Sequence, residues 1–297
     1  MVVLMGSNGN ITSKAAKLLL SQGQKVRVIG RNAGSLAALK QAGAEIAVGD
    51  AGDIDFLAAS FKGATAVYVM IPPSYGSPDM RKYQSQLGEA IAQAIVKSGV
   101  KRIVHLSSVG AHLPSGIGPI AGLYDQEQRL NRIAGLDLLH IRAAFFMENH
   151  LHAVGLIAAF GVYPSMEKSD VPMGMIATQD IAAVVARELA QPSKRGILHL
   201  RAAALYSFQS AASILGAAIG KPELKHVQAD PAQAKAGMVQ HGFSQNVADL
   251  FEEMALAASD GRIASSYETG PTEIGATTLE QFAPVFKTAF EQVKKAA

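Results

Sequence analysis

Hydrophobic residues in the first half of the chain form short continuous runs that are separated by longer stretches with helical spacing. The runs predict strands at Val2–Met5, Lys25–Ile29, Glu45–Val48, Ala66–Ile71, Arg102–Leu106 and Asp137–Arg142. The helical spacing predicts helices at about 11–22, 34–42, 53–61, 80–98 and 124–133. Several strands are apolar throughout, which is typical of a parallel sheet with helices on both faces. The pattern therefore predicts an α/β protein.

After Asn149 this rhythm loosens, and helical spacing dominates the rest of the chain. The pattern predicts helices at about 178–191, 207–219, 231–240, 244–258 and 278–295, with strands at Ile197–Arg201 and Leu224–Gln228. We expect residues 1–150 to form a Rossmann-type, doubly wound parallel sheet. Residues 151–297 are expected to form a smaller, mostly helical lobe that packs on the sheet and does not fold independently.

A glycine-rich turn separates the first strand from the first helix. A helix N-terminus carries unpaired amides and the positive end of the helix dipole, and both favour an anion such as phosphate. The spacing of the turn resembles a dinucleotide fingerprint, with Thr12 in place of the third glycine. The predicted diphosphate contacts are Gly6, Ser7, Asn8, Gly9, Asn10 and Ile11. A strand-to-helix turn that binds nothing is the alternative interpretation.

Arg31 follows the second predicted strand, where an acidic residue would bind the ribose hydroxyls of NAD. An arginine at this place can pair with the 2′-phosphate of NADP, and no Asp or Glu stands beside it. The sequence therefore predicts a preference for NADP(H) over NAD(H). The alternative is that Arg31 is an ordinary solvated arginine.

Two further segments are expected at the same edge of the sheet. Asp50 follows the third strand, where it could meet the adenine amino group or, equally, cap the helix that begins near Asp53. Met70, Ile71 and Pro72 end the fourth strand. Ligands of open α/β sheets lie outside the carboxyl ends of strands, so we expect these three residues to border the cofactor.

The fifth strand and the helix after it offer candidates for catalysis. Ser107 is predicted to contact the cofactor and to hydrogen-bond a substrate carbonyl, and Tyr124 is the candidate proton donor. Gln128 stands where a lysine would lower the pKa of the phenol, so a packing or stacking role for Tyr124 remains open. Hydride transfer without a dedicated acid is the simplest interpretation. A quinone suits that chemistry, because its reduced oxyanion can take a proton from water.

Composition narrows the possible partners. The net charge is +3, only 17% of the residues are charged and no Lys/Arg cluster occurs, which argues against nucleic acid. The chain has no cysteine, and its histidines form no pattern of metal ligands, so neither a metal nor a disulfide is expected. No apolar stretch is long enough to span a bilayer, so no membrane-spanning segment is expected. The first residues already belong to a predicted strand, so no signal peptide is expected either. We expect a cytoplasmic monomer or homodimer.

The chain resembles the NmrA-like family of atypical short-chain dehydrogenase/reductases. The likeness rests on the glycine turn, on Arg31 and on the segment Ile141-Arg142-Ala143-Ala144-Phe145-Phe146-Met147-Glu148-Asn149. Members typically read Leu-Arg-Pro-x-x-Phe-Met-Glu-Asn at this place. The likeness extends to residues 177–182, where Thr178 is expected to cap a helix, and to residues 277–283.

This resemblance implies an NADP-binding fold with divergent functions. Some members resemble NAD(P)H:quinone oxidoreductases that work without flavin, whereas others resemble redox sensors that bind the dinucleotide and a protein partner. Phe145, Phe146 and Asn149 lie where such a fold would place its substrate, although the two rings could equally belong to the core. We favour an NADPH-dependent reductase of quinones or similar flat electrophiles. A non-catalytic sensor and a carbonyl reductase that uses Tyr124 are the alternatives.

Overall fold

The structure is a computed structural model and describes residues 1–296. In chain order the strands β1 to β13 are Val2–Leu4, Val26–Gly30, Glu45–Val48, Ala66–Val69, Arg102–Ser108, Asp137–Ala143, Phe145–Phe146, Tyr163–Ser165, Met173–Ile176, Gly196–Ala202, Leu205–Tyr206, His226–Gln228 and Thr272–Gly275. The helices α1 to α11 are Asn10–Ser21, Ala33–Gln41, Ile54–Phe61, Met80–Ser98, Ala121–Asn131, Val154–Phe160, Thr178–Ala190, Phe208–Ala218, Pro231–Gln240, Gln245–Ser259 and Leu279–Ala296. Short 3₁₀ helices occupy Gly118–Ile120, Met147–Ala153 and Ala264–Thr269.

The central sheet contains eight parallel strands in the order β13-β10-β6-β5-β4-β1-β2-β3. The chain starts in the middle at β1, builds outward through β2 and β3, and then crosses to β4 on the other side. This reversal between β1 and β4 opens a crevice at the carboxyl ends of the strands, which is where such sheets bind ligands. The predicted α/β fold with a Rossmann-type parallel sheet is confirmed.

Helices cover both faces of this sheet, which explains why its strands are apolar throughout. Val2 and Leu4 of β1 face one layer, formed by α1, α2 and α7, whereas Val3 faces the opposite layer of α3, α4 and α5. A third apolar cluster lies in the C-terminal half, between the 3₁₀ helix Met147–Ala153 and helices α6, α8 and α11. No helix within residues 1–296 is both long and apolar enough to cross a bilayer.

The C-terminal half contributes directly to the main sheet. Strand β10 pairs with β6, and β13 pairs with β10, so that two strands after residue 150 extend the sheet. Helix α7 packs against α1 on one face of the main sheet. The rest of this half carries two small sheets, β11-β9-β7 and β12-β8, among its helices. The two halves therefore share a core, and the boundary near residue 150 stays a prediction.

Candidate functional site

The loop between β1 and α1 is shaped by its glycines. Gly6 has φ +108°, and a Cβ placed there would lie 2.5 Å from the Thr12 hydroxyl oxygen. Gly9 is the N-cap of α1 and provides no side chain to satisfy the first amides, and the first turn holds no acidic residue. The N-terminus of α1 therefore keeps unpaired amides and a positive dipole end, which suits an incoming phosphate.

Thr12 stands where a dinucleotide fingerprint usually has its third glycine. Its side chain is buried, and its hydroxyl donates a 2.7 Å hydrogen bond to the carbonyl of Met5, at the end of β1. The usual glycine allows a close approach of helix and strand. Here a hydrogen bond joins them instead, so the threonine is compatible with the turn.

Arg31 lies fully at the surface, directly after β2. It forms no salt bridge with any residue in the range 1–296. The next residue, Asn32, caps α2 by accepting a hydrogen bond from the amide of Gly34. The guanidinium is therefore available to an external anion at the edge where β2 ends.

A tyrosine that the sequence did not point to, Tyr83, is close enough to Arg31 and Asp50 to feel the charge of both. Burial raises the pKa of Tyr83, while the nearby charge of Arg31 lowers it and that of Asp50 raises it. The hydroxyl of Tyr83 donates to the carbonyl of Pro72 at 3.0 Å. Tyr83 thus contacts the loop after β4 and lies near the charged residues that follow β2 and β3, on the side of the crevice where an adenosine would lie.

Asp50 does not cap α3. Its carboxylate accepts a hydrogen bond from the amide of Gly52, whereas Asp53 caps the helix by accepting from the amides of Asp55 and Phe56. The capping alternative for Asp50 was therefore wrong. The carboxylate of Asp50 is exposed at the sheet edge, and its contact with an adenine stays a prediction.

The segment after β4 lies against the glycine turn. The Met70 side chain approaches to 3.7 Å from the place where Gly6 would carry a Cβ, and Ile71 is buried behind it. The carbonyl of Pro72 accepts the hydrogen bond from Tyr83. These three residues thus follow β4 beside the glycine turn, and their contact with a cofactor stays a prediction.

Ser107 is part of a buried charged network at the ends of β5 and β6. Its hydroxyl donates to Glu127 at 2.5 Å, and Arg142 holds both oxygens of that carboxylate at 2.9 and 2.6 Å. All three side chains are almost completely buried. The single proton of the Ser107 hydroxyl therefore goes to Glu127, and only its oxygen lone pairs are available to another group.

Arg142 is further tied to the loops around it. It donates to the hydroxyl of Thr269 at 2.9 Å and to the carbonyl of Ala111 at 3.1 Å. A buried ion pair needs such additional hydrogen bonds, because they offset the loss of solvation. The network was missed by sequence reasoning, although a charged residue inside a buried strand signals that a partner must exist.

Tyr124 is half-buried on α5. It lines a surface depression of about 370 Å³ between α4 and α5, together with Glu89, Gln128 and Arg132. Asp125, its neighbour, pairs with Arg81 at 2.6 Å. Within residues 1–296, Ser107 is hydrogen-bonded to Glu127 and not to Tyr124, so the structure does not join the two predicted catalytic groups directly.

The segment after β6 has a structural role that is visible in its contacts. Thr178 is not the N-cap of α7, because that position is occupied by Ala177. Both carboxylate oxygens of Glu148 instead accept from the Thr178 amide, at 3.1 and 3.0 Å, and Lys14 of α1 donates to the Thr178 hydroxyl at 2.7 Å. Glu148 thus connects the segment after β6 to the start of α7 and to α1.

The predicted substrate residues lie on both sides of Glu148 in the sequence. Phe145 and Phe146 form β7 and are half-buried, and Asn149 is exposed. The Phe145 ring packs 5.6 Å from Phe208 and 5.3 Å from His150, centroid to centroid, in the C-terminal cluster. Phe146 packs against the main core. Both rings therefore have core contacts, and their contact with a substrate stays a prediction.

Two buried histidines next to the network bond to each other. His105 and His140 share a 2.9 Å hydrogen bond between their Nδ1 atoms, and burial lowers the pKa of His140 to about 4. Burial likewise lowers the pKa of His105 well below its usual value. Among residues 1–296 no group of three or more His, Asp or Glu side chains could hold a metal ion.

The geometry of the crevice fits a dinucleotide. The Gly6 position has no space for a Cβ, the α1 amides are open, and Arg31 offers a cation at the end of β2. Asp50 is exposed after β3, and its charge reaches Tyr83. Fold and crevice together define a Rossmann-type protein that is equipped for a phosphate-rich nucleotide.

The chain belongs to the NmrA-like family, whose pattern matches residues 1–283. The resemblance inferred from the Ile141–Asn149 segment is therefore confirmed. A relative described as an NAD(P)H azoreductase, from Xenophilus azovorans, is 27% identical over 293 residues, which cover 98% of this chain and 99% of the relative.

Solved structures show the same fold at lower identity. The NADPH-dependent quinone oxidoreductase of Escherichia coli in complex with NADPH superposes with a TM-score of 0.80 at 20% identity, covering 96% of this chain and 99% of the other. The triphenylmethane reductase of Citrobacter sp. complexed with NADP(H) gives a TM-score of 0.77 at 18% identity, covering 99% of this chain and 100% of the other.

Proposed function

We propose that this protein is an NADPH-dependent oxidoreductase that reduces quinones or similar flat electrophiles by direct hydride transfer, without flavin or metal. The observation that carries the proposal is the uncapped N-terminus of α1 next to an unpaired arginine at the end of β2. The α1 amides bind the diphosphate, and Arg31 binds the 2′-phosphate that distinguishes NADPH from NADH. Asp50 and Tyr83 border the adenosine.

The chain's own residues position and shield the reacting groups in this proposal. NADPH, when bound, would supply the hydride, and the carboxyl ends of β5 and β6 border the crevice that would hold it. The Ser107 oxygen lies at that place with its proton held by Glu127, so it can accept a hydrogen bond from the cofactor. Phe145 and Phe146 lie along the adjacent edge and present apolar surface to a flat substrate.

A substrate that needs no strong acid fits these residues best. Addition of a hydride to a quinone leaves an aromatic oxyanion, which is stable enough to take its proton from water. Ser107 cannot donate to that oxyanion while its proton is bound to Glu127. The proposal is supported by the relative described as an NAD(P)H azoreductase, and the structural neighbours include a quinone oxidoreductase and a triphenylmethane reductase.

The test is an anaerobic assay of NADPH oxidation with a panel of quinones and azo dyes. The proposal predicts steady turnover with at least one member of the panel, and no stimulation by added flavin. A protein that binds NADPH but oxidises it with no member of the panel would contradict the proposal. Assays with and without a chelator test the expected independence from metal.

A non-catalytic redox sensor is the second candidate. Two observations favour it: the Ser107 proton is committed to Glu127, and Tyr124 lies in a depression lined by charged residues. A sensor would bind NADPH and NADP⁺ with different affinities and present a different surface in each state. Fast turnover that is unaffected by partner proteins would exclude this role.

A further inference from the structure

Three aromatic side chains join the loop after β4 to the hairpin formed by α9 and α10. The Tyr75 and Phe243 rings stack with centroids 4.7 Å apart and an angle of 24° between their planes. Phe251 packs edge-on against both, at 6.1 Å from Tyr75 and 6.0 Å from Phe243. We call Tyr75, Phe243 and Phe251 the aromatic clasp.

Hydrogen bonds hold the clasp together. The amide of Ser244 donates to the Tyr75 carbonyl at 2.9 Å, and its hydroxyl donates to the Ser77 carbonyl at 2.5 Å. The same Ser244 caps α10 by accepting from the amide of Val247. The amide of Met80, in turn, donates to the Asn246 side chain at 2.9 Å. The loop after β4 is therefore fastened to the start of α10 by backbone as well as side chains.

The other side of α10 rests on the loop that follows β5. Gly118 there has φ +57°, and the Leu250 carbonyl of α10 occupies the space where a Cβ would be. Ala257 of α10 packs in a small apolar cluster with Ile117 and Ile120. Helix α10 thus spans the loops after β4 and β5, which flank the half of the crevice beyond the adenosine.

The clasp leaves part of its aromatic surface exposed. Tyr75 is 40% exposed, and Phe243 and Phe251 are half-buried. Exposed rings of this kind favour stacking against another flat π system. Helix α9, by contrast, has no buried residue, so the hairpin is held in place by α10 and the clasp.

We infer that the aromatic clasp is a substrate-binding wall that selects electrophiles with more than one fused or conjugated ring. The inference rests on the proposed reductase function and adds residues that determine specificity. The ring of the substrate that receives the hydride lies at the β5–β6 edge, and a second ring reaches the Tyr75–Phe243 stack. In this inference a single-ring substrate uses only the contact at the β5–β6 edge.

The experiment compares wild-type protein with Phe243→Leu and Tyr75→Leu, which keep apolar volume but lose the aromatic face. Phe160→Leu is the matched control, because Phe160 is 70% exposed on α6, outside the clasp. Values of kcat and KM are measured with 1,4-benzoquinone, 1,4-naphthoquinone and 9,10-phenanthrenequinone. Circular dichroism checks the folding of each variant, and NADPH affinity is measured by fluorescence.

Loss of one aromatic stack is expected to raise KM for phenanthrenequinone by about five- to tenfold in either clasp variant, with kcat nearly unchanged. KM for benzoquinone and the affinity for NADPH should stay within about twofold of wild type, and Phe160→Leu should change neither. Equal changes for all three quinones, no change at all, or a loss of NADPH affinity would overturn the inference.

Failure of the proposed function is distinguishable from failure of the clasp. If wild-type protein oxidises no NADPH, the binding of phenanthrenequinone to the NADP⁺ complex is measured by its absorbance change. Binding by wild type that is weakened in the two clasp variants supports the wall without any turnover. Absence of binding, or binding that the variants leave intact, contradicts it.

Discussion

Thr12 shows how one residue can depart from a fingerprint without losing the turn. The fingerprint has a glycine there to let helix and strand pack closely. In this protein the threonine hydroxyl donates to the Met5 carbonyl across that junction. The carbonyl is buried with its strand, so the hydrogen bond satisfies a group that would otherwise be costly to bury.

Thr12→Val should destabilise the protein, because valine has the same shape but leaves the Met5 carbonyl without this donor. A buried acceptor that loses its partner costs about 1–3 kcal/mol of unfolding free energy. Urea unfolding followed by circular dichroism measures the change. Thr12→Ser, which keeps the hydroxyl, should retain more of the stability; equal stabilities of the valine variant and wild type would refute the role given to Thr12.

Tyr124→Phe should keep at least half of the wild-type kcat with a quinone substrate. The reason is that in the proposed mechanism the oxyanion takes its proton from water, and that Ser107 is bonded to Glu127 and not to Tyr124. Gln128→Leu serves as a control for the same surface depression. A fall in kcat of a hundredfold or more, which is the scale of a lost general acid, would show that Tyr124 is the proton donor.

Single residues were predictable where local spacing decides their environment. The glycines and Arg31 are placed by their distance from a strand end, so the sequence alone brings them to the crevice. The Ser107–Glu127–Arg142 network was not predictable in the same way, because it joins a helix to two strands. Asp50 and Asp53 illustrate the limit of prediction from the sequence. Either carboxylate could cap α3 by its position, and the backbone geometry decides that Asp53 does so.

Helix α7 is an element whose start is capped from another part of the chain. Its N-cap, Ala177, has no side chain that could accept a hydrogen bond, and Glu148 accepts from the Thr178 amide in its place. The carboxylate also lies near the positive end of the helix dipole. The Phe-Met-Glu-Asn segment thus has a structural function in joining the crevice to α7.

Glu148→Ala should lower the unfolding free energy by about 1–2 kcal/mol, as expected for the loss of a helix cap. Thermal and urea unfolding measure the effect. Asn149→Ala, next to it and exposed, is the matched control and should leave stability within about 0.5 kcal/mol of wild type. A Glu148→Ala protein as stable as this control would show that the cap contributes nothing.

Strands with continuous apolar runs were predicted well, whereas short, half-exposed strands were not. The six strands predicted in the first half occur within one to two residues of the expected bounds, whereas the two-residue strand β7 was missed. Strand β13, Thr272–Gly275, was missed because it alternates exposed and half-exposed residues and lies at the sheet edge. Its register comes from pairing with β10, which no local pattern reveals.

The molecule as a whole contains buried histidines that are held neutral. Burial lowers the pKa of His140 to about 4 and that of His150 to about 3. The unfolded chain binds protons on these groups near pH 6.5, so it takes up more protons than the folded protein as the pH falls. Their stabilising contribution is therefore complete above pH 6.5 and is lost progressively below it.

Through these two histidines the unfolding free energy should consequently fall by about 3 kcal/mol between pH 6.5 and 5.0, because each reaches the full slope of about 1.4 kcal/mol per pH unit only below the pKa of the unfolded chain. Urea unfolding at a series of pH values gives the slope. His150→Asn removes one titrating group and should flatten the slope. A pH-independent stability in this window, or an unchanged slope in the variant, would contradict the assignment of neutral buried histidines.

The overall architecture followed from the strand–helix rhythm, but the contribution of the second half to the main sheet did not. Strands β10 and β13 join that sheet only after long excursions through helices, so their neighbours are set by packing and not by sequence proximity. The same long connection carries the α9–α10 hairpin back to the loop after β4. The clasp therefore combines residues from both halves of the chain.

The most direct test of the account is a calorimetric titration of the wild type and of Arg31→Ala with NADPH and with NADH. A charge-assisted contact contributes about 1.5–3 kcal/mol, so wild type should bind NADPH about ten- to a hundredfold more tightly than NADH. Arg31→Ala should lose this preference while keeping its affinity for NADH, and Arg132→Ala, at another surface, should behave as wild type. Equal binding of both nucleotides by wild type, or a preference that survives in Arg31→Ala, would contradict the account.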